Sequence, residues 1–509
     1  MKRKVKSIVK ILVLVAATFA VVEYGRGQLE LLNISFTEDV KPTDVKPADN
    51  QQWFFTTSDT YITKQSLDQS APKSEEKQNR IDEGKPVEHT KQSDNSPDIN
   101  EYEVPSQHTS ELTQTLRQVT SGHKIRKTLH ATTAEPYLEN KKLSEYNDQS
   151  DGLHNSPAYQ ALQKRLDVLF EESKDIFDLL PYKYLPDYKS FCWYDSQDVF
   201  QCLASVYLAG MPKCGTTDLF QKLMWHPELT TQSHHTDGGS EKETVYWTRK
   251  RVGRPGSFMA NPRVPPPKQP FSEFLHGTGA ERVKSYKDRR IVDGTPSLLW
   301  DLGGWETRYP GLDEPPYSNA DLIHAVTPDA KILAILRNPT DRLYSEYLYF
   351  WKGSKMRNEV RSPQTFHMDV RRETRKFNRC LESNSLRNCC YSSGYSLRLR
   401  VALGVYICYI RDFLEVFGDN FLVVTMEEYH LYPTETLNNI FYHIGVSEPK
   451  LEDLHSFLES SKTYNVNSNV KEEVGDMLPE TKDLLDTFYA PYNFALAELL
   501  ADSRLLFRN

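Results

Sequence analysis

Three times along this chain a short apolar run breaks at a polar turn and resumes as an amphipathic segment, and that repetition constrains the fold more than any other feature. "SVYLAG" (205–210) enters the turn "MPKCGTT" and then a helical pattern carrying Leu219, Phe220, Leu223 and Met224. "KILAIL" (331–336) leads into "RNPTDRLYSEYLYFW", and "FLVVTM" (421–426) is followed by "PTETLNNIFYHIG", which stops at Gly445. Short apolar runs bounded by turn residues fit strands buried on both faces, and strand–turn–helix repeats join such strands in parallel. The expected fold is therefore α/β, a mostly parallel sheet flanked by helices. Order begins near residue 156, where Leu162, Leu166, Leu169, Phe170 and Phe177 recur at roughly helical spacing.

The first part of the chain follows other rules. Lys2, Arg3, Lys4 and Lys6 precede an apolar run from Ile11 to Val22 that only Thr18 interrupts, which is the pattern of a secretory targeting signal. Ala16, Ala17 and Ala20 leave cleavage open, but we favour an uncleaved signal-anchor with residues 1–7 in the cytosol and 8–23 in the membrane. Residues 24–155 are rich in Ser, Thr, Asp, Glu, Lys, Gln and Pro, too polar to offset chain entropy, and read as a flexible lumenal stem. That leaves 156–509 as the folded domain. A formal net charge of −8 argues against a general nucleic-acid binder. Asn33 opens the sequon "NIS", usable for glycosylation only in the secretory lumen. The seven cysteines suit that compartment. Cys380 and Cys389 bracket a short polar loop and are the expected disulfide; Cys390 is the rival partner, and reduced buried thiols are the alternative.

Ligands of open parallel sheets bind at the carboxyl ends of strands. The turn at 210–217 occupies such an end, with Gly210 and Gly215 permitting close backbone approach and Thr216 and Thr217 adding hydroxyls. The helix behind it offers unpaired amides and a positive dipole end, and Lys213 adds a full charge. The lysine comes too early for the nucleotide-triphosphatase pattern, in which it follows the second glycine. After "KILAIL", Arg337 sits at a strand end, Asn338 suits an N-cap and Pro339 the first helical position. Ser345 lies about two turns further on, so Arg337 and Ser345 make a second anion site suited to a phosphate monoester. Either turn alone is equally well an ordinary helix start with a solvated cation.

Together, residues 206–220 and 331–347 resemble the 5′-phosphosulfate loop and the 3′-phosphate segment of sulfotransferases. Similarity runs over roughly 190–509. It is strongest to the Golgi N-acetylgalactosamine 4-sulfate 6-O-sulfotransferase group, through "KETVYWTRKR", "GTPSLLWD", "RNPTDRLYSEY" and "FYAPYNFALAELL", and more distant to heparan sulfate sulfotransferases. The resemblance implies a P-loop-like sheet and 3′-phosphoadenosine 5′-phosphosulfate as donor. It also implies in-line transfer to a glycosaminoglycan hydroxyl, with no metal required. Lys213 then matches the lysine on the leaving oxygen; Cys214, Gly215, Thr216 and Thr217 fall in the 5′ site, and Arg337 and Ser345 in the 3′ site. Tyr464 and Asn465 match loosely a late loop that closes over the adenosine.

Glu243, in "EKETVYW", matches the base that accepts the acceptor proton, in a setting partly screened by Tyr246 and Trp247; the bland reading pairs it with Lys242. His234 and His235 are rival bases of lower rank. Where heparan enzymes carry a histidine–phenylalanine motif, this chain has Val245-Tyr246-Trp247, which leaves the acceptor open. Arg249, Lys250, Arg251 and Arg254 form a cationic strip suited to a sulfated polysaccharide, or an ordinary solvated charge run. Trp247 or Trp300 is a candidate sugar-stacking surface. Alternatives are a heparan acceptor or another glycan, a kinase, and a sulfated-glycan binder that has lost transfer. A homodimer is compatible with the sequence.

Overall fold

The computed structural model describes residues 157–232, 241–253, 268–276, 279–350, 361–393, 399–462 and 468–507. The expected anchor, stem and glycosylation site at Asn33 lie outside these. Among the described residues no helix is long and apolar enough to cross a membrane.

Chain order sets out the elements. Helix α1 (Pro157–Glu172) precedes a hairpin of β1 (Phe191–Tyr194) and β2 (Phe200–Leu203). β3 (Val206–Gly210), α2 (Thr216–Leu223), β4 (Leu229–Thr231) and β5 (Arg290–Asp293) follow. Then come α3 (Asn319–Val326), β6 (Lys331–Leu336) and α4 (Pro339–Phe350). The rest comprises α5 (Pro363–Leu381), α6 (Leu386–Ser393), α7 (Tyr406–Phe417), β7 (Phe421–Thr425), α8 (Pro433–Ile444) and α9 (Pro479–Leu500).

Five strands pair in the order β4-β5-β3-β6-β7, and every pairing is parallel. The reason is in the side chains: β3 is buried at every position and β6 at all but Lys331, so both faces must be covered. The three expected strands are β3, β6 and β7; β4 and β5 are additional. From β3 the chain first builds one side of the sheet and then the other, so the order reverses beside its carboxyl end, where α/β sheets hold ligands.

The antiparallel hairpin β1–β2 stands apart and is cross-linked by Cys192–Cys202, which face each other in register with Cα atoms 4.0 Å apart. The expected Cys380–Cys389 bridge is present and closes the turn between α5 and α6. Cys390, the rival partner, stays a buried thiol, as do Cys214 and Cys408.

Candidate active site at the carboxyl ends of the sheet

The turn after β3 is held by its backbone. The Met211 amide donates to the Ile335 carbonyl (2.9 Å), carrying the β3–β6 pairing one residue past the strand. Lys213 (φ 69°) and Gly215 (φ 84°) both take the left-handed conformation, and Gly215 opens α2. Glycine adopts that conformation freely; a lysine there costs about 1–2 kcal/mol, a strain typical of functional turns. Gly210 serves differently from expectation: a Cβ there would lie 2.8 Å from Leu299 Cδ1, so its missing side chain makes room for the core. Cys214 lies within the loop as a packing residue. Its thiol is buried 3.8 Å from the Tyr406 hydroxyl, and burial pushes it up to about 11. Its amide donates to the Met211 carbonyl (3.3 Å), so the residue packs and braces the turn.

Lys213 is half-buried. Its ammonium lies 3.6 Å from the centre of the Tyr349 ring, and no carboxylate pairs with it among the described residues. Burial lowers it to about 8; nearby Arg337 and Arg400 push the same way and Glu346 opposes them. Arg337, at the end of β6, has no side-chain hydrogen bond or ion pair among the described residues; its carbonyl accepts from the Tyr406 hydroxyl (2.7 Å). The two turns therefore bring two cations without carboxylate partners into one field, an arrangement that a dianion relieves. Asn338 caps α4 through Thr340 N (3.0 Å), and Ser345 lies half-buried on that helix. Thr217 is half-buried on α2.

Behind Arg337, α4 carries a buried charge network. Glu346 accepts from Arg342 (2.6 Å) and from Arg400 Nε (2.9 Å), and Arg342 also donates to the Arg400 carbonyl (3.0 Å). Burial raises Glu346, but Arg400 and Arg342 outweigh it and hold the carboxyl below its usual range. The Arg400 guanidinium lies over the rings of Trp300 and Phe350, 5.2 and 5.0 Å from their centres. Sequence reasoning missed Arg400, since nothing local marks it.

Glu243 sits in a segment pinned to the end of β5. Thr244 donates to the buried Asp293 carboxylate (2.5 Å), the Gly294 amide donates to the Lys242 carbonyl (2.8 Å), and the Val245 amide donates to Thr295 Oγ1 (3.2 Å). Lys242 is only 4% exposed and donates both to Glu243 Oε1 (3.0 Å) and to Thr216 Oγ1 (3.1 Å). The Glu243–Lys242 pair of the bland reading is real, yet it joins the expected base to the first turn of α2. That link is the second feature the sequence hid.

Other expectations change. Tyr246 and Trp247 pack into an aromatic core, with Tyr246 stacked 4.1 Å from Phe274. Trp247 and Trp300 are 1% and 2% exposed, which removes both as open sugar-stacking faces. Two members of the cationic strip are taken up by the protein. Arg249 binds the buried Asp301 (2.6 Å), and Arg251 donates to Ser173 (3.3 Å) and the Tyr317 hydroxyl (3.4 Å). Lys250 is half-buried in the same short turn. Arg254, His234, His235, Tyr464 and Asn465 lie outside the described residues.

The sulfotransferase family model matches residues 205–450, from the start of β3 to just beyond α8. Carbohydrate sulfotransferase 15 of Rattus norvegicus is 29% identical over 395 residues, covering 66% of this chain and 68% of its own. That of Homo sapiens is 28% identical with the same coverage. A sulfotransferase structure from Alicyclobacillus acidocaldarius aligns over 60% of this chain and 99% of its own at 20% identity, with a TM-score of 0.38, too low to bear on the fold.

Proposed function

We propose that this chain, an enzyme of the sulfotransferase family, moves a sulfuryl group from 3′-phosphoadenosine 5′-phosphosulfate to a hydroxyl of a glycosaminoglycan. The acceptor we assign is the 6-hydroxyl of N-acetylgalactosamine 4-sulfate in chondroitin or dermatan sulfate. The relatives named carbohydrate sulfotransferase 15 support a sugar acceptor, and the resemblance to the 4-sulfate 6-O-sulfotransferase group supports the position. We assign the reaction to the Golgi lumen, with residues 8–23 as anchor.

The single observation behind this reading is that two adjacent strand ends each present a cation, Lys213 and Arg337, with no ion-pair partner among the described residues. In the proposed mechanism Gly215, Thr216 and Thr217 hold the 5′-phosphate, while Arg337 and Ser345 hold the 3′-phosphate. Lys213 offsets the charge that grows on the leaving oxygen as the sulfur–oxygen bond breaks, typically the largest catalytic term. Glu243 takes the acceptor proton. Lys242 keeps that carboxylate and the Thr216 hydroxyl in fixed relation, so base and donor site stay aligned. Tyr464 and Asn465 complete the adenosine site, and Lys250 and Arg254 remain the acceptor contacts of the strip.

The test is transfer of labelled sulfate by the full chain to defined chondroitin, dermatan and heparan acceptors, followed by disaccharide analysis. The reading predicts 6-O-sulfate on residues already sulfated at position 4. Product confined to heparan sulfate contradicts the acceptor, and no transfer to any glycan contradicts the activity.

A further inference from the structure

The opposite edge of the same sheet carries a second group of cations. An open cavity of about 620 Å³ lies beneath the amino ends of the strands. Arg290 and Lys331, which begin β5 and β6, line it, as do Ser205 before β3 and Asn420 before β7. Lys183 and Lys189 add two more cations, and Tyr184, Tyr188 and Phe191 form an aromatic wall. Asp329 is the one carboxylate in the lining.

Charge balance at this cavity is unusual. Lys189 is matched by Glu228 (3.1 Å) and approached by Asp288 (3.9 Å). Lys183, Arg290 and Lys331 have no carboxylate within ion-pair distance among the described residues. Lys331 donates to the neutral Asn420 side chain (2.7 Å), and Arg290 to the Lys189 carbonyl (3.0 Å), with its Nε buried and unpartnered. Burial lowers Lys331 and so does the charge of Arg290, while Asp329 and Asp419 offset this in part. Burial likewise lowers Arg290, against the pull of Glu228. Two like charges are thus held together at a cost, as at the transfer site. The tyrosine hydroxyls are spent elsewhere, Tyr184 on the Val326 carbonyl (2.7 Å) and Tyr188 on that of Lys284 (3.0 Å), which leaves an apolar wall facing a cationic one.

We propose that this cavity is a second binding site, separate from the transfer site, for a sulfate ester carried on a sugar ring. The oxyanion sits among Lys183, Arg290 and Lys331, and the ring lies against the Tyr184–Phe191 wall. Such a site lets the enzyme hold one sulfated unit of a polyanionic chain at one edge of the sheet while another is modified at the opposite edge. The choice of a sulfated sugar rests on the function proposed above; the oxyanion site itself rests on the cavity alone.

The test uses the full chain saturated with adenosine 3′,5′-bisphosphate and titrated calorimetrically with a 4-sulfated N-acetylgalactosamine disaccharide. Two binding events are expected. Lys183→Glu, at an exposed position, and Lys331→Gln should each weaken one event at least tenfold and leave the other unchanged, with kcat on a short acceptor also unchanged. Millimolar inorganic sulfate should compete for that same event. The proposal is overturned if no event in the native chain weakens in either variant, or by equal binding of the unsulfated disaccharide; a single event that both substitutions weaken supports the cavity and counts against the acceptor proposed above. Failure to bind the bisphosphate in the same sample would count against the transferase reading and leave the cavity result standing.

Discussion

The turn after β3 and the turn after β6 leave neighbouring strands at the same edge of the sheet, yet one is held by backbone and the other by buried charge. Around Lys213, the Met211–Ile335 hydrogen bond and left-handed residues at 213 and 215 set the shape, with no buried ion pair on the turn's own residues among the described residues. Around Arg337, the support is Glu346 with Arg342 and Arg400, plus Glu427 accepting from the Asn338 amide (2.9 Å). A cradle made of local backbone can lose its functional side chain and stay folded. A cradle propped by desolvated ions cannot lose one of them cheaply, because the partners remain buried and unmatched. Substitutions in the first should therefore strike chemistry, and substitutions in the second should strike folding.

The largest effect expected is at Glu346. Glu346→Ala removes the carboxylate that two buried guanidinium groups share and should cost about 3–5 kcal/mol in denaturant unfolding. The sign with pH follows from the depressed carboxyl: its contribution is full above the unfolded carboxylate pKa and is lost as pH falls through the lower folded value. A loss below about 1 kcal/mol would erase the contrast between the turns, since that is the range of ordinary surface changes.

Lys213→Ala comes next and should act on rate. Transfer should fall by about 10²–10³, the effect of removing one donor at a site of developing charge. Unfolding should change by less than about 1 kcal/mol. Lys213→Gly sharpens the point, because φ 69° suits glycine and the turn keeps its shape while the ammonium is gone. Gly215→Ala tests the backbone directly: forcing a Cβ into φ 84° should destabilise by about 1–2 kcal/mol. An unchanged unfolding midpoint would mean that the turn is not held in this way.

The smallest effect is on pH dependence. With Lys213 lowered to about 8 by burial and the nearby arginines, kcat/KM for the donor should decline as pH rises through that value. Lys213→Arg should move the decline out of range. A decline that stays in place in that variant would assign it to another group.

These contrasts also explain what the sequence could convey. The β3 turn was legible because its determinants, Gly210 to Thr217, are consecutive and follow an apolar run. The Arg337–Pro339 turn was legible for the same reason. Arg400 was not, since it lies 54 positions along the chain from Glu346 and carries no local signature. The Lys242–Thr216 bond spans 26 residues and looked like a simple neighbour pair with Glu243. Trp247 and Trp300 misled because an aromatic suits a core as well as a sugar, and only packing decides. Arg249 misled similarly: Asp301, its buried partner, lies 52 residues away. Cys192 and Cys202 could have been paired from the two apolar runs that flank "DSQD", a hairpin signal.

The central claim is that both turns grip one ligand, and the most direct measurement is a double-mutant cycle for adenosine 3′,5′-bisphosphate binding to the full chain. Lys213→Ala and Arg337→Ala should each weaken binding at least tenfold, and the double variant should deviate from additivity by more than about 0.5 kcal/mol. Native affinity in either single variant would contradict the account, because one of the two turns would then not touch the ligand.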